Sequence, residues 1–399
     1  MNFRTLRDLD VRGKRVLVRE DLNVPMKNGV VGDETRITAA LPTLRYLLEG
    51  GARVIVLSHL GRPNGKVDPA LSLAPIAKRL GERLGVGVGF VPECVGEACI
   101  AASKALAPGE ILLFENVRFH PEEEANDPLF ARALAASGDL YVNDAFGTAH
   151  RAHASTAGVA ADLPAAAGLL MEAELKALGA LIDRPAHPFV CAIGGSKVAD
   201  KVGVFTHLMD RVDAFVIGGG MANTFLAAQG VDVGTSLRDT DLDPAQKIVA
   251  LAKERGVMLY LPTDAVVADN FVADRSAATV DIADVGSRMI LDIGPKSAAR
   301  FAAVLRAAKT IVFNGPMGVY EKAPYRGGTR TIGQAIADAT TAGATSVVGG
   351  GDAAAAAHEL GFADAMTHVS TGGGATLEFL EGKTLPGVQA LIDATKAAR

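Results

Sequence analysis

Five short apolar runs in the second half of this chain each lead into a glycine-rich string. The strings are Gly194-Gly195-Ser196-Lys197, Gly218-Gly219-Gly220, Asn314-Gly315-Pro316-Met317-Gly318, Gly349-Gly350-Gly351-Asp352 and Thr371-Gly372-Gly373-Gly374. Helical patterns at 295–308, 331–339 and 353–360 alternate with strand candidates at 189–193, 214–217, 257–261, 310–313 and 346–348. That alternation is the signature of βαβ units, and so of parallel sheets. The first half repeats it, with strand candidates at 15–19, 53–57, 111–115 and 140–142 and helical patterns at 38–49, 73–84 and 129–136. Runs as apolar as Val54-Ile55-Val56-Leu57 predict sheets covered on both faces. At 399 residues the chain exceeds what one core usually supports, so two domains are expected. Their boundary falls at 169–188, where the helix formers of 171–178 are stopped by Pro185 and Pro188.

In an open α/β sheet, ligands bind beyond the carboxyl ends of the strands. Glycine there lets backbone N–H groups approach phosphate, and arginine offers a planar fork to carboxylate or phosphate. The two halves differ in just this respect. The first carries Arg19-Glu20-Asp21-Leu22-Asn23-Val24-Pro25, then Ser58-His59-Leu60-Gly61-Arg62-Pro63, then Arg118 and Arg151 beyond the third and fourth strands. Asp21 and Asn23 suit a hydroxyl or an Asx turn. Arg36 opens a helix, where a cation gains nothing from the dipole, so it is expected to face an anion. This half suits a small anion, the other a nucleotide.

A net charge of −5 argues against nucleic acid as a bulk partner. No apolar stretch is long enough to span a bilayer, the start lacks a signal-peptide core, and Cys94, Cys99 and Cys191 lack metal-ligand spacing. A cytoplasmic protein with idle thiols is the expectation. Neither a Gly-x-x-x-x-Gly-Lys-[Ser/Thr] loop nor a helix-opening Gly-x-Gly-x-x-Gly is present, which weakens P-loop and dinucleotide readings. Lys197 and Lys201, four apart, are expected to share a helical face beside a polyphosphate. Asp352 caps a helix or holds Mg²⁺, and Gly372 and Gly373 precede a helix N-terminus suited to a transferring phosphoryl group.

Taken together, these strings resemble the phosphoglycerate kinase family, in family order from about residue 15 to 380. The resemblance implies two Rossmann-like lobes with parallel sheets, facing each other across a cleft and joined by a helix. It places a 3-phosphoglycerate domain at 1–168, a connector at 169–187 and a nucleotide domain at 188–384, with the tail 385–399 returning to the first. It implies reversible transfer between 1,3-bisphosphoglycerate and MgADP, by a monomer, in glycolysis. Carried over by position, Asp21, Leu22, Asn23, Arg36, His59, Leu60, Gly61, Arg62, Arg118 and Arg151 would bind the acid. Lys201, Gly218, Gly219, Asn314, Glu321, Gly350, Gly351, Asp352 and Ala353 would bind ATP or ADP, with Asp352 on Mg²⁺. Arg36, Lys197, Gly372 and Gly373 would stabilise the transferring group. Ala353 departs from the family's usual Thr or Ser, which predicts one hydrogen bond fewer to nucleotide. Another acyl-phosphate or sugar-acid kinase, and a binding protein that has lost catalysis, are the alternatives.

Overall fold

Covering both faces of a β-sheet needs helices between successive strands, and both six-stranded sheets of this chain are parallel throughout. The computed structural model describes residues 2–27, 29–271 and 276–397. The chain divides into two compact units, Met1–Leu175 with Thr384–Arg399, and Lys176–Lys383. The division lies inside the helix Leu169–Asp183, which is longer at both ends than its strongest helix formers.

In the first unit the strands of the large sheet are β1 (Arg15–Arg19), β2 (Arg53–Leu57), β3 (Val88–Val91), β4 (Ile111–Phe114), β5 (Leu140–Asn143) and β6 (Ala165–Ala167). They lie in the order β3-β4-β2-β1-β5-β6. Arg19 is level with Leu57 on one side and Asn143 on the other, so the segments after three strands leave from one edge. The core beneath is aliphatic, including Val16, Val18, Val54, Val56, Leu44 and Leu113. The tail helix Pro386–Ala397 packs on β6, with Gly387 N–H donating to the Ala149 carbonyl at 2.8 Å.

The second unit has β7 (Phe189–Ile193), β8 (Ala214–Ile217), β9 (Met258–Tyr260), β10 (Asp264–Ala268), β11 (Ala278–Asp281), β12 (Met289–Ile293), β13 (Thr310–Asn314), β14 (Thr345–Val348) and β15 (His368–Val369). Six of them form the order β9-β8-β7-β13-β14-β15, which switches direction between β7 and β13. The antiparallel sheet β11-β10-β12 is absent from the sequence expectations, as are β3, β6 and β15. Each is short or weakly patterned: β6 is three alanines, β3 contains a glycine, and β11 alternates only from half-buried to exposed.

Candidate functional site

At the carboxyl edge of the first sheet the polar segments hold one another. Arg36, in the first turn of the helix Thr35–Glu49, donates from Nη1 to Asp21 Oδ1 at 3.1 Å and to the Asn23 carbonyl at 2.8 Å. Asn23 Oδ1 accepts the Gly61 N–H at 2.8 Å, and the Gly61 carbonyl accepts from Arg118 Nη1 at 2.9 Å. Gly61 sits at φ +63°, in the left-handed region that favours glycine, and a Cβ there would stand 2.7 Å from Leu71 Cδ2. The side chains of Leu22 and Leu60 are buried in the hydrophobic core of this unit. The Leu22 N–H donates to Ser58 Oγ, and the Leu60 carbonyl accepts from Asn116 Nδ2.

His59 is buried, with Nδ1 3.1 Å from Arg19 Nη2. Burial, then the charges of Arg19, Arg118, Arg36 and Arg151, push its pKa well below the ordinary imidazole value. Arg118 is itself buried and pushed down to about 10, first by desolvation and then by Arg19. Arg151 is half-buried and Arg62 exposed. Cationic charge is therefore concentrated at one strand edge of a chain whose net charge is −5. Sequence reasoning missed Arg19, fully buried at the last position of β1, and the Ser155 and Glu123 side chains behind it. The legible signal was a guanidinium ending an apolar strand.

In the second unit the glycine strings pack against one another at the switch point between β7 and β13. A Cβ on Gly194 would stand 2.0 Å from the Pro316 carbonyl oxygen, and one on Gly219 would stand 2.7 Å from that of Gly195. Lys201 Nζ donates to the carbonyls of Gly194 and Asn314, each at 2.8 Å, and so ties the ends of the two strands together. Desolvation lowers its pKa to about 8. The helical face expected for Lys197 and Lys201 does not form. Asp239 accepts the N–H groups of Val198 and Ala199, a 3₁₀ turn covers Ala199–Lys201, and the helix begins only at Val202. Lys197 is left exposed on the loop before it.

Asn314 is buried, donates from Nδ2 to the Gly349 carbonyl at 2.7 Å, and keeps Oδ1 without a hydrogen-bond partner among the described residues. Gly350, at φ +98°, caps the helix Gly351–Glu359, and the exposed Asp352 carboxylate lies in its first turn. The Ala353 methyl is buried and packed in the core of this unit. The Gly372 N–H donates to Ser370 Oγ at 3.1 Å, one residue before the N-cap, Gly373, of the helix Gly374–Leu380.

A cavity of about 530 Å³ opens beside these strings. Gly219, Gly220, Leu237, Pro316 and Glu321 line it, and its far wall is β12, from the sheet that the sequence reading lacked. Asp292 on that wall is buried and accepts the Gly328 N–H at 2.7 Å, while burial raises its pKa to about 7. Apolar walls with a carboxylate at the rim suit a flat heterocycle bearing hydroxyls. A single hard oxygen donor such as Asp352, completed by phosphate oxygens and water, suits Mg²⁺. Elsewhere, Glu93, Cys94 and His120 bring donor atoms within 4.8 Å of one another, but Glu93 Oε1 and His120 Nε2 already meet at 2.7 Å.

The family model described as "Phosphoglycerate kinase" matches residues 6–383. The phosphoglycerate kinase of Chloroflexus aurantiacus is 55% identical over 399 residues, covering 99% of this chain and 100% of that protein. That of Pelotomaculum thermopropionicum is 55% identical over 395 residues, with 98% and 100% covered. The solved structure of the enzyme from Coxiella burnetii superposes with a TM-score of 0.90 at 44% identity, covering 99% of this chain and 100% of that one.

Proposed function

This chain belongs to the phosphoglycerate kinase family, and we propose that its first unit binds 3-phosphoglycerate and its second a nucleoside di- or triphosphate. The reaction is reversible phosphoryl transfer between 1,3-bisphosphoglycerate and ADP, a step of glycolysis, carried out by a cytoplasmic monomer. The observation that carries the assignment of the acid is the field of Arg19, Arg36, Arg118 and Arg151 converging on a buried, neutral His59. Arg36, Arg62, Arg118 and Arg151 neutralise the carboxylate and phosphate of the acid. Asp21 and Asn23 orient the loops around its hydroxyl.

In the second unit the cavity walled by Gly219, Gly220 and β12 takes the base, and Glu321 at its rim takes the ribose. Lys201, Gly350 and Gly351 serve the phosphates. Asp352 would hold Mg²⁺, which supplies charge neutralisation on the phosphate oxygens when bound. Ala353 offers its backbone alone, because its methyl belongs to the core. The attacking carboxylate is ionised at neutral pH, so no general base is needed, and catalysis consists of positioning and charge stabilisation. Arg36 and the exposed Lys197 supply that charge, with the N–H groups of Gly372 and Gly373 directed to the transferring group once Ser370 Oγ is displaced.

A coupled assay of ATP- and Mg²⁺-dependent phosphorylation of 3-phosphoglycerate tests the whole reading. Robust turnover is expected, and Arg36→Ala or Lys197→Ala should each lower kcat by about 10²-fold. Turnover absent in the parent, or both variants within a few-fold of it, overturns the assignment.

A further inference from the structure

Arg19 and Glu123 are fully buried and formally of opposite charge, yet no direct contact joins them; the Ser155 hydroxyl stands between. Ser155 Oγ accepts from Arg19 Nε at 2.7 Å and donates to Glu123 Oε1 at 2.6 Å, and Glu123 Oε2 accepts the Ser155 N–H at 2.8 Å. With its one proton committed to a carboxylate, the hydroxyl can only offer a lone pair to the guanidinium. Tyr141 holds the same residue from behind, its hydroxyl donating to the Ser155 carbonyl at 2.7 Å. Arg19 Nη1 is spent on the Glu20 carbonyl. Nη2 is thereby aimed at His59 Nδ1, 3.1 Å away.

A guanidinium has only donors. The nitrogen that faces it must therefore be the unprotonated one, and in a neutral imidazole the proton then sits on the other. We infer that Glu123, Ser155 and Arg19 form a positioning relay that sets His59 in its Nε2–H tautomer, presenting a fixed hydrogen-bond donor to an anionic ligand. Breaking a buried pair is costly, while keeping one adds little net stability; orientation is the property that this arrangement supplies. Asp21 Oδ1, 4.0 Å from the same Nδ1, would otherwise favour a proton there, so the tautomer is decided by which neighbour holds the nitrogen. His153 Nδ1 lies 3.7 Å from Glu123 Oε1, but burial and the nearby arginines hold its pKa down to about 4, so it does not compete as a cation.

The inference rests on the reading that His59 contacts the acid, and its test separates the two. Nitrogen NMR of the histidine-labelled enzyme without substrate, with the signal assigned by His59→Gln, reads the tautomer directly. The expected result is a protonated Nε2 in the parent between about pH 6 and 8. Ser155→Ala, which removes the link, should give a tautomer mixture and raise KM for 3-phosphoglycerate about tenfold, with kcat nearly unchanged. Ser155→Thr, which restores the hydroxyl, should recover both. Glu123→Gln, near-isosteric, should shift the tautomer balance in the same direction as Ser155→Ala, and circular dichroism checks that each variant folds. A proton on Nδ1 in the parent, or a parent-like tautomer in Ser155→Ala, overturns the relay. His59 signals unmoved by saturating 3-phosphoglycerate would instead sink the ligand reading and leave the tautomer assignment standing.

Discussion

Lys201 has a structural part in the fold, and the proposed function gives the same side chain a ligand to bind. Its ammonium satisfies two strand-end carbonyls, and burial depresses its pKa to about 8, so at that pH about half of it is uncharged. A polyphosphate placed beside it favours the charged form and raises that pKa. Binding of MgADP at pH 8 should therefore take up as much as about half a proton per site. Calorimetry in buffers of differing ionisation enthalpy reads this uptake directly, and Lys201→Met should abolish it. A binding enthalpy independent of buffer in the parent would show that the ammonium does not meet the phosphates. Ala353 teaches the opposite lesson: a position expected to have lost a contact is occupied by a methyl that packs in the core.

At the scale of elements, the glycine strings are not interchangeable. Gly194 is needed because the chain after β13 crosses within contact of the chain after β7, leaving no room for a Cβ against backbone. Gly351 opens the helix Gly351–Glu359, and a methyl group added there would meet nothing within 4 Å. Gly194→Ala is expected to lower the melting temperature by several degrees and weaken nucleotide binding, since a peptide must move. Gly351→Ala should leave stability unchanged or raise it by up to about 1 kcal/mol, the usual helix preference for alanine over glycine. Paired thermal melts decide the matter; equal losses in the two variants would mean that the strings act only through chain flexibility.

At the scale of the whole molecule, stability carries a cost at the sheet edge. Glu20 is fully buried with neither carboxyl oxygen hydrogen-bonded among the described residues, and burial, then Asp144, raises its pKa well above the ordinary value. Asp144, raised to about 6 by burial, uses Oδ1 to cap the Met171 N–H at the start of the helix that passes from one unit to the other. Both groups bind protons more tightly folded than unfolded. Their contribution to stability is thus complete below the unfolded values near pH 4 and declines as pH rises through and beyond about 6. Glu20→Gln should raise the melting temperature by about 2–4 °C at pH 8, with the gain shrinking toward pH 4. A gain of equal size at both ends, or none at pH 8, would show that the buried carboxyl carries no such cost.

Much of this was readable in the chain. Period and punctuation determined two parallel α/β arrays, because an apolar run ending in glycine or arginine is a local property of consecutive residues. The same locality put Arg36, His59, Lys201 and Asp352 at strand or helix ends. The burial of Leu22 and Leu60 and the wall formed by β12 were not readable, since each depends on how the chain packs in three dimensions. The loop that separates Lys197 from Lys201 is set by Asp239, about 40 positions away. Glu123 reaches Ser155 across 32 positions, and Arg19 reaches Ser155 across 136. Sequence spacing determines which face of an element a residue occupies; only the folded packing of distant elements decides which buried partner each polar atom meets.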